Sequence, residues 1–313
     1  MAYTTINKPS DHFNARLYTG TGSALNVTGV GHQPDLVWCK DRSASNNHIL
    51  HDVVRGVNYQ IYSDINNAQT NASGFLTAFG TDGFTLGTDG AINTNGNNYV
   101  SWNWKAGNSS GSTNYNGTIN STVSVNTTAG FSIVRYTGTG SNATVGHGLG
   151  VAPSWILFKN LSSARNWIVY HTGIGATKNL YLDLDNAANT SSTTFQDTEP
   201  TSTVFSVGTS VGVNESGDSI IAYCFAEKQG FSKFGRFTAN ASTNGPFLYC
   251  GFRPRLLIIK RDNSAAPWST VDAARNTVNQ VNLELKLDTN AVDANQGDGC
   301  DFLSNGVKLR DSA

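Results

Sequence analysis

The sequence predicts an all-β protein of tandem β-sandwich modules in three related copies, the third lacking its closing strand. Three observations carry this. A ten-residue stretch recurs three times. Charged residues are only 14% of the chain, and Gly is dense, at 32 of 313 residues. Ordinary globular proteins carry ~25% charge, and Gly and Asn supply the positive φ that tight β-turns require. A hydrophobic content of 38% is sufficient for packed cores.

The repeated stretch reads Gly31-His32-Gln33-Pro34-Asp35-Leu36-Val37-Trp38-Cys39-Lys40, then Gly150-Val151-Ala152-Pro153-Ser154-Trp155-Ile156-Leu157-Phe158-Lys159, then Gly251-Phe252-Arg253-Pro254-Arg255-Leu256-Leu257-Ile258-Ile259-Lys260. Pro34, Pro153 and Pro254 fix φ and lack an N–H, so each marks a strand's start. The four-residue apolar runs that follow suit strands covered on both faces. A buried helix segment would run to roughly 10 residues and would not have turn-like flanks. Lys40, Lys159 and Lys260 close the runs and are expected to carry end-of-strand charge into solvent.

The elements follow in order. Residues 1–16 form a polar lead. Tyr18-Thr19-Gly20-Thr21-Gly22-Ser23 opens repeat one (17–106), returns at 136–141 in repeat two (131–230), and survives in drifted form at 237–242 in repeat three (231–313). Counting from each Pro, fourteen residues on lie His48, Trp167 and Trp268, and eighteen on lie Asp52, His171 and Asp272. A second strand is read at 48–53 and 167–171. A third is read at 59–63 and 180–184, with 281–287 alternating strictly between apolar and polar. Asp82-Gly83 and Asn305-Gly306 signal hairpins. Closing strands are read at 99–104 and 220–225. Phe84 to Tyr99 and Phe205 to Ile220 are equal steps of 15 residues, and the same step from Val307 passes residue 313. Either the chain is cut short there or another chain supplies the strand, since an open edge is a liability. Residues 107–130, rich in Gly, Asn, Ser and Thr, read as a linker with one short strand near Thr122-Val123-Ser124-Val125. The short join after 225 predicts closer packing of repeats two and three than of one and two.

Composition also excludes functions. A net charge of −1 leaves no basic footprint for nucleic acid. The N-terminus lacks a basic region followed by an apolar core, and no apolar run approaches the ~20 residues of a membrane helix, so neither secretion nor membrane insertion is expected. Cys39, Cys224, Cys250 and Cys300 form no C-x-x-C pair and read as free thiols. His48 and His51 would point to opposite faces of a strand. Glu occurs only at 199, 215, 227 and 284, and no acid pair for glycoside hydrolysis stands out. Asp183 and Asp185 read as a surface pair. No nucleophile-elbow, P-loop or H-E-x-x-H motif is present. Catalytic, cofactor and metal residues are therefore not expected. Trp102 and Trp104 read as core, matched by Tyr223 and Phe225. Trp167 and Trp268 are the candidates for stacking on a sugar ring.

Tyr-Thr-Gly-Thr-Gly at 18–22, Gly-x-x-Pro-x-Leu-Val-Trp-x-Lys at 31–40, Asp-Gly-Phe-Thr-Leu-Gly at 82–87 and Tyr-Val-Ser-Trp-Asn-Trp-Lys-Ala-Gly at 99–107 resemble a repeated domain in virion proteins of marine bacteriophages. The likeness covers nearly the whole chain and brings no catalytic residue with it. It implies a structural component of the virion, either tail fibre-like and engaged in host surface attachment or a capsid decoration (head-fibre) protein. Its implied partners are other tail or capsid proteins, further copies of itself, trimers among them, and host surface glycan. A glycan-degrading tailspike enzyme is the third reading, against which the missing acid pair counts.

Overall fold

In a computed structural model, residues 3–311 are described; Met1 and Ala2, which open the expected lead, and the last two residues lie outside them. The chain is all-β and its sheets are antiparallel.

Module one contains β1 (Phe13–Thr19), β2 (Leu25–Thr28), β3 (Leu36–Asp41), β4 (Ile49–Asp52), β5 (Tyr59–Tyr62), β6 (Thr70–Asn71), β7 (Leu76–Gly80), β8 (Gly83–Leu86) and β9 (Asn98–Trp104). Six strands in the order β1-β9-β3-β4-β5-β6 face three in the order β2-β8-β7. Val37, Cys39 and Ile49 of the larger sheet meet Val27, Phe84 and Leu86 of the smaller. The β7–β8 hairpin turns on Thr81-Asp82, with Gly80 opposite Gly83, so the glycine opens the returning strand instead of sitting in the turn. Asp82 accepts the amides of Gly29 and Gly31, tying the hairpin to the loop that leads to Pro34.

Module two contains β10 (Ser112–Asn114), β11 (Ser121–Asn126), β12 (Phe131–Thr137), β13 (Ala143–Gly146), β14 (Trp155–Asn160), β15 (Ile168–His171), β16 (Lys178–Tyr181), β17 (Asn189–Thr190), β18 (Val204–Val207) and β19 (Ser219–Phe225). Its large sheet runs β10-β11-β12-β19-β14-β15-β16-β17, which repeats the order of module one and adds two strands at the edge. The region expected to be a linker supplies those two strands, because Val123 and Val125 alternate with polar residues and pair with β12. Strand β1 likewise claims Phe13 to Arg16 from the expected lead, and Phe13 lies opposite Trp104.

Module three contains β20 (Phe247–Tyr249), β21 (Leu256–Ile259), β22 (Ser269–Asp272), β23 (Val281–Lys286), β24 (Ala294–Leu303) and β25 (Gly306–Leu309), ordered β20-β25-β24-β23-β22-β21. The drifted opening motif at 237–242 forms no strand. Among the described residues, module three thus has counterparts to neither the first nor the closing strand of the other two.

The modules do not sit in a row. One core joins them: Leu36, Trp38, Val100 and Trp102 from module one, Leu157, Trp167, Ile221 and Tyr223 from module two, and Trp268, Leu285 and Leu287 from module three. Strands β3 and β14 are buried along their whole lengths because alternate residues serve different cores. Leu36 and Trp38 face the shared core, whereas Val37 and Cys39 face their own sandwich. This explains the unbroken apolar runs, since a strand covered on both faces has no wet side. Close packing is not confined to repeats two and three, since all three contribute to one interior.

Leu182, fully buried in the shared core, provides a test. Leu182→Ala is expected to cost about 2–5 kcal/mol and to lower the stability of all three modules together. Hydrogen exchange resolved by module checks this; loss confined to module two would contradict a common core.

Candidate functional site

The residues singled out by the repeat lie at the junctions between modules. Trp167 Nε1 donates to the carbonyl of Tyr62 (2.7 Å), and Trp268 Nε1 donates to that of Tyr181 (2.7 Å). In module one the place belongs to His48. Its Nδ1 accepts Trp38 Nε1–H (3.1 Å), which leaves Nε2 to carry the proton and donate to Lys286 O (3.0 Å). Tyr62, Tyr181 and Lys286 are equivalent, each lying opposite the first residue of β4, β15 or β22. The donors therefore run from module two to one, three to two and one to three, closing a cycle.

The lysines follow the same cycle. Lys159 Nζ donates to Asn66 O (3.2 Å), Lys260 Nζ to Asp185 O (3.0 Å) and Lys40 Nζ to Asn290 O (3.1 Å). Each acceptor stands four residues past the carbonyl that takes the ring N–H. The expected solvent role is thus wrong for Lys40 and Lys159, which are 0% exposed, whereas Lys260 stays partly exposed. Lys159 avoids the cost of a buried ammonium by giving its remaining protons to Asn160 O and Arg165 O. Burial pushes the Lys40 and Lys159 amines down to about 8. Asp64, Asp183 and Asp288 accept the backbone N–H of His48, Trp167 and Trp268 in turn. Asp183 is buried, at 6% exposure, and so is no surface residue, whereas Asp185 is exposed; burial pushes Asp64 up to about 7 and Asp183 up to about 6.

The closing strands reach across as well. Tyr223 Oη donates to Asp52 Oδ2 (2.7 Å) and Trp102 Nε1 to Asp272 Oδ2 (3.1 Å). Those carboxylates hold Arg55 and Arg275 in ion pairs with no exposed side-chain surface. Arg275 also lies 5.8 Å from the centre of the Trp102 ring. In module two the matching place is His171, whose Nδ1 accepts the Gly173 amide.

Trp167 and Trp268 are 0% and 4% exposed, so neither offers a face to a sugar. Packing took them because the shared core needs large rings whose N–H can reach a carbonyl. Trp102 lies in the core as expected. Cys39, Cys224 and Cys300 are buried free thiols, and Cys250 is half-buried. No group of three or more metal-ligating side chains occurs among the described residues.

Exposed aromatics cluster instead on module three. Phe247 and Tyr249 point outward from β20 at 43% and 62% exposure, while Leu248 between them points to the core. Tyr3, 53% exposed, brings its hydroxyl to that of Tyr249 above Gly251. Gly251 has φ 80°, a conformation that favours glycine, and a Cβ there would push the Tyr3 hydroxyl aside. The Phe247 ring rests on Gly306. The signal lay in the repeat: the matching triplets are Asn26-Val27-Thr28 and Thr144-Val145-Gly146, polar or small at both outward positions.

Fold and junctions define a class: a three-module antiparallel β-protein closed on itself by its own side chains. The chain belongs to the DUF7483 family, a domain of unknown function, whose model matches residues 8–313. No curated protein and no solved structure matches it.

Two outcomes test the junctions. Lys159→Met removes the three hydrogen bonds of a buried ammonium and is expected to cost about 2–4 kcal/mol in urea denaturation, while Lys8→Met, on the exposed lead, costs less than about 0.5 kcal/mol. The Asp183 carboxyl holds its proton longer in the native state, so it makes stability fall as pH rises from about 4 to 6. Asp183→Asn keeps an acceptor for Trp167 N–H and is expected to remove that part of the slope, raising stability at pH 7 by of order 1–3 kcal/mol. An unchanged pH profile would contradict the assignment.

Proposed function

We propose that the protein is a structural component of a bacteriophage virion, tail fibre-like and exposed, that attaches to glycan on the host surface. The carrying observation is the patch of Tyr3, Phe247 and Tyr249, outward-facing on a rigid, weakly charged body. Exposed aromatic rings on a fixed sheet stack on the apolar faces of sugars while hydroxyls bond their edges. The sequence resemblance supports the virion setting, and the shared interior supports durability outside a cell. Other virion proteins and further copies of this chain are the expected partners.

The test has two arms. Antibody labelling of purified particles is expected to find the protein at the tail; label on the faces of the head would make it a decoration protein, and absence from particles would overturn the proposal. The Phe247→Ser/Tyr249→Ser variant is expected to lose at least about tenfold in binding to host surface glycan, with the unfolding free energy in urea within about 1 kcal/mol of the parent. Glycan binding unaffected by the change would remove the patch from attachment.

A further inference from the structure

We infer that the free edge of β21 is an acceptor for a strand from outside residues 3–311: an extended segment of about seven residues, antiparallel to β21, with aromatic and aliphatic side chains at alternate positions. The inference is independent of the virion reading. It rests on two filled copies of the same place within this chain.

In module one, β9 lies between β1 and β3 and pairs with every residue of β3, from Leu36 opposite Trp104 to Asp41 opposite Tyr99. In module two, β19 lies between β12 and β14 and pairs from Trp155 opposite Phe225 to Asn160 opposite Ile220. Module three has the Pro-led strand, and β22 pairs with one side of it. Among the described residues no strand pairs with the other side. The loss of cover is visible in burial. All residues of β3 and β14 are buried, whereas all four of β21 are only partly so.

The register of the missing strand follows from the filled copies. Arg42 N–H donates to Asn98 O and Leu161 N–H to Ser219 O. Both match Asp262, so the amides of Leu256, Ile258 and Lys260 point to the open side. Leu257 and Ile259 point to β22. The residue opposite Ile258 corresponds to Trp102 opposite Trp38 and to Tyr223 opposite Leu157. By the cycle of contacts, its side chain enters the shared core toward His171, where the other two meet Asp272 and Asp52. Leu256 and Ile258 already pack against that core, and Phe234 from the connecting segment now stands 6.4 Å from the His171 ring. The incoming aromatic shares or takes that place.

A second copy is not the expected donor of such a strand, because β9 and β19 are already paired on both sides. A partner that offers a free strand uses main-chain hydrogen bonds for affinity and alternate side chains for specificity.

The experiment adds a synthetic peptide of the β9 sequence, residues 98–105, to the intact chain. Hydrogen exchange at Leu256, Ile258 and Lys260 is expected to slow by about tenfold or more, while Leu257 and Ile259 change little. N-methylation of the peptide at the Trp102 position, whose amide faces the acceptor, is expected to abolish the effect. N-methylation at the Ser101 position, which faces away, is expected to leave it. No protection by this peptide or by one of the β19 sequence, or protection of all five amides alike, would overturn the inference. So would protection that grows with protein concentration in the absence of peptide, since the edge would then belong to a second copy.

Discussion

A ring N–H reaching out of one module to a strand-end carbonyl of the next, with a lysine ammonium beside it, is the contact on which this architecture depends. Trp167, Trp268 and His48 make it in turn, and Lys159, Lys260 and Lys40 accompany them. Loop carbonyls inside a protein need donors. Here the donors come from the neighbouring module, so no module satisfies its own loops without the others. Burial of large rings then follows at little polar cost, since each ring nitrogen already has its partner.

The second layer of the ring is ionic. Asp52 and Asp272 each accept two local amides, an arginine and a side-chain donor from a neighbour's closing strand. Buried ion pairs contribute little net stability, but breaking one is costly. Their effect here is to fix how modules are placed, because only the correct closing strand brings the fourth hydrogen bond. Module two breaks the pattern with His171, at the position that would receive the strand absent from module three. The departures from repetition thus fall together: a changed acceptor, an open edge and an outward aromatic patch all involve module three or the surface facing it.

The strands of each module were legible because period and punctuation act locally. Pro34, Pro153 and Pro254 mark strand starts, and the hairpins at 76–86 and 294–309 turn within a residue of where Asp-Gly and Asn-Gly place them. The arrangement of modules was not legible. An apolar run such as Leu36-Val37-Trp38-Cys39 says that both faces are covered without saying by what. A lysine at a strand end looks the same in sequence whether it meets water or the carbonyl of a loop 250 residues away, as Lys40 meets Asn290. Trp167 and Trp268 drew attention as sugar platforms for the same reason, since large rings with one polar atom suit both an exposed face and a core. The register of β22 against β23, displaced by extra residues between them, hid the equivalence of Lys286 with Tyr62 and Tyr181.

The central claim is that three modules close into one body around a common interior. Small-angle X-ray scattering of the monomer in dilute solution tests it most directly. A closed body of this length has a radius of gyration of about 20 Å by the scaling of compact chains. Three separate modules strung in a line would give about 30 Å on the same scaling, and that value would contradict the ring.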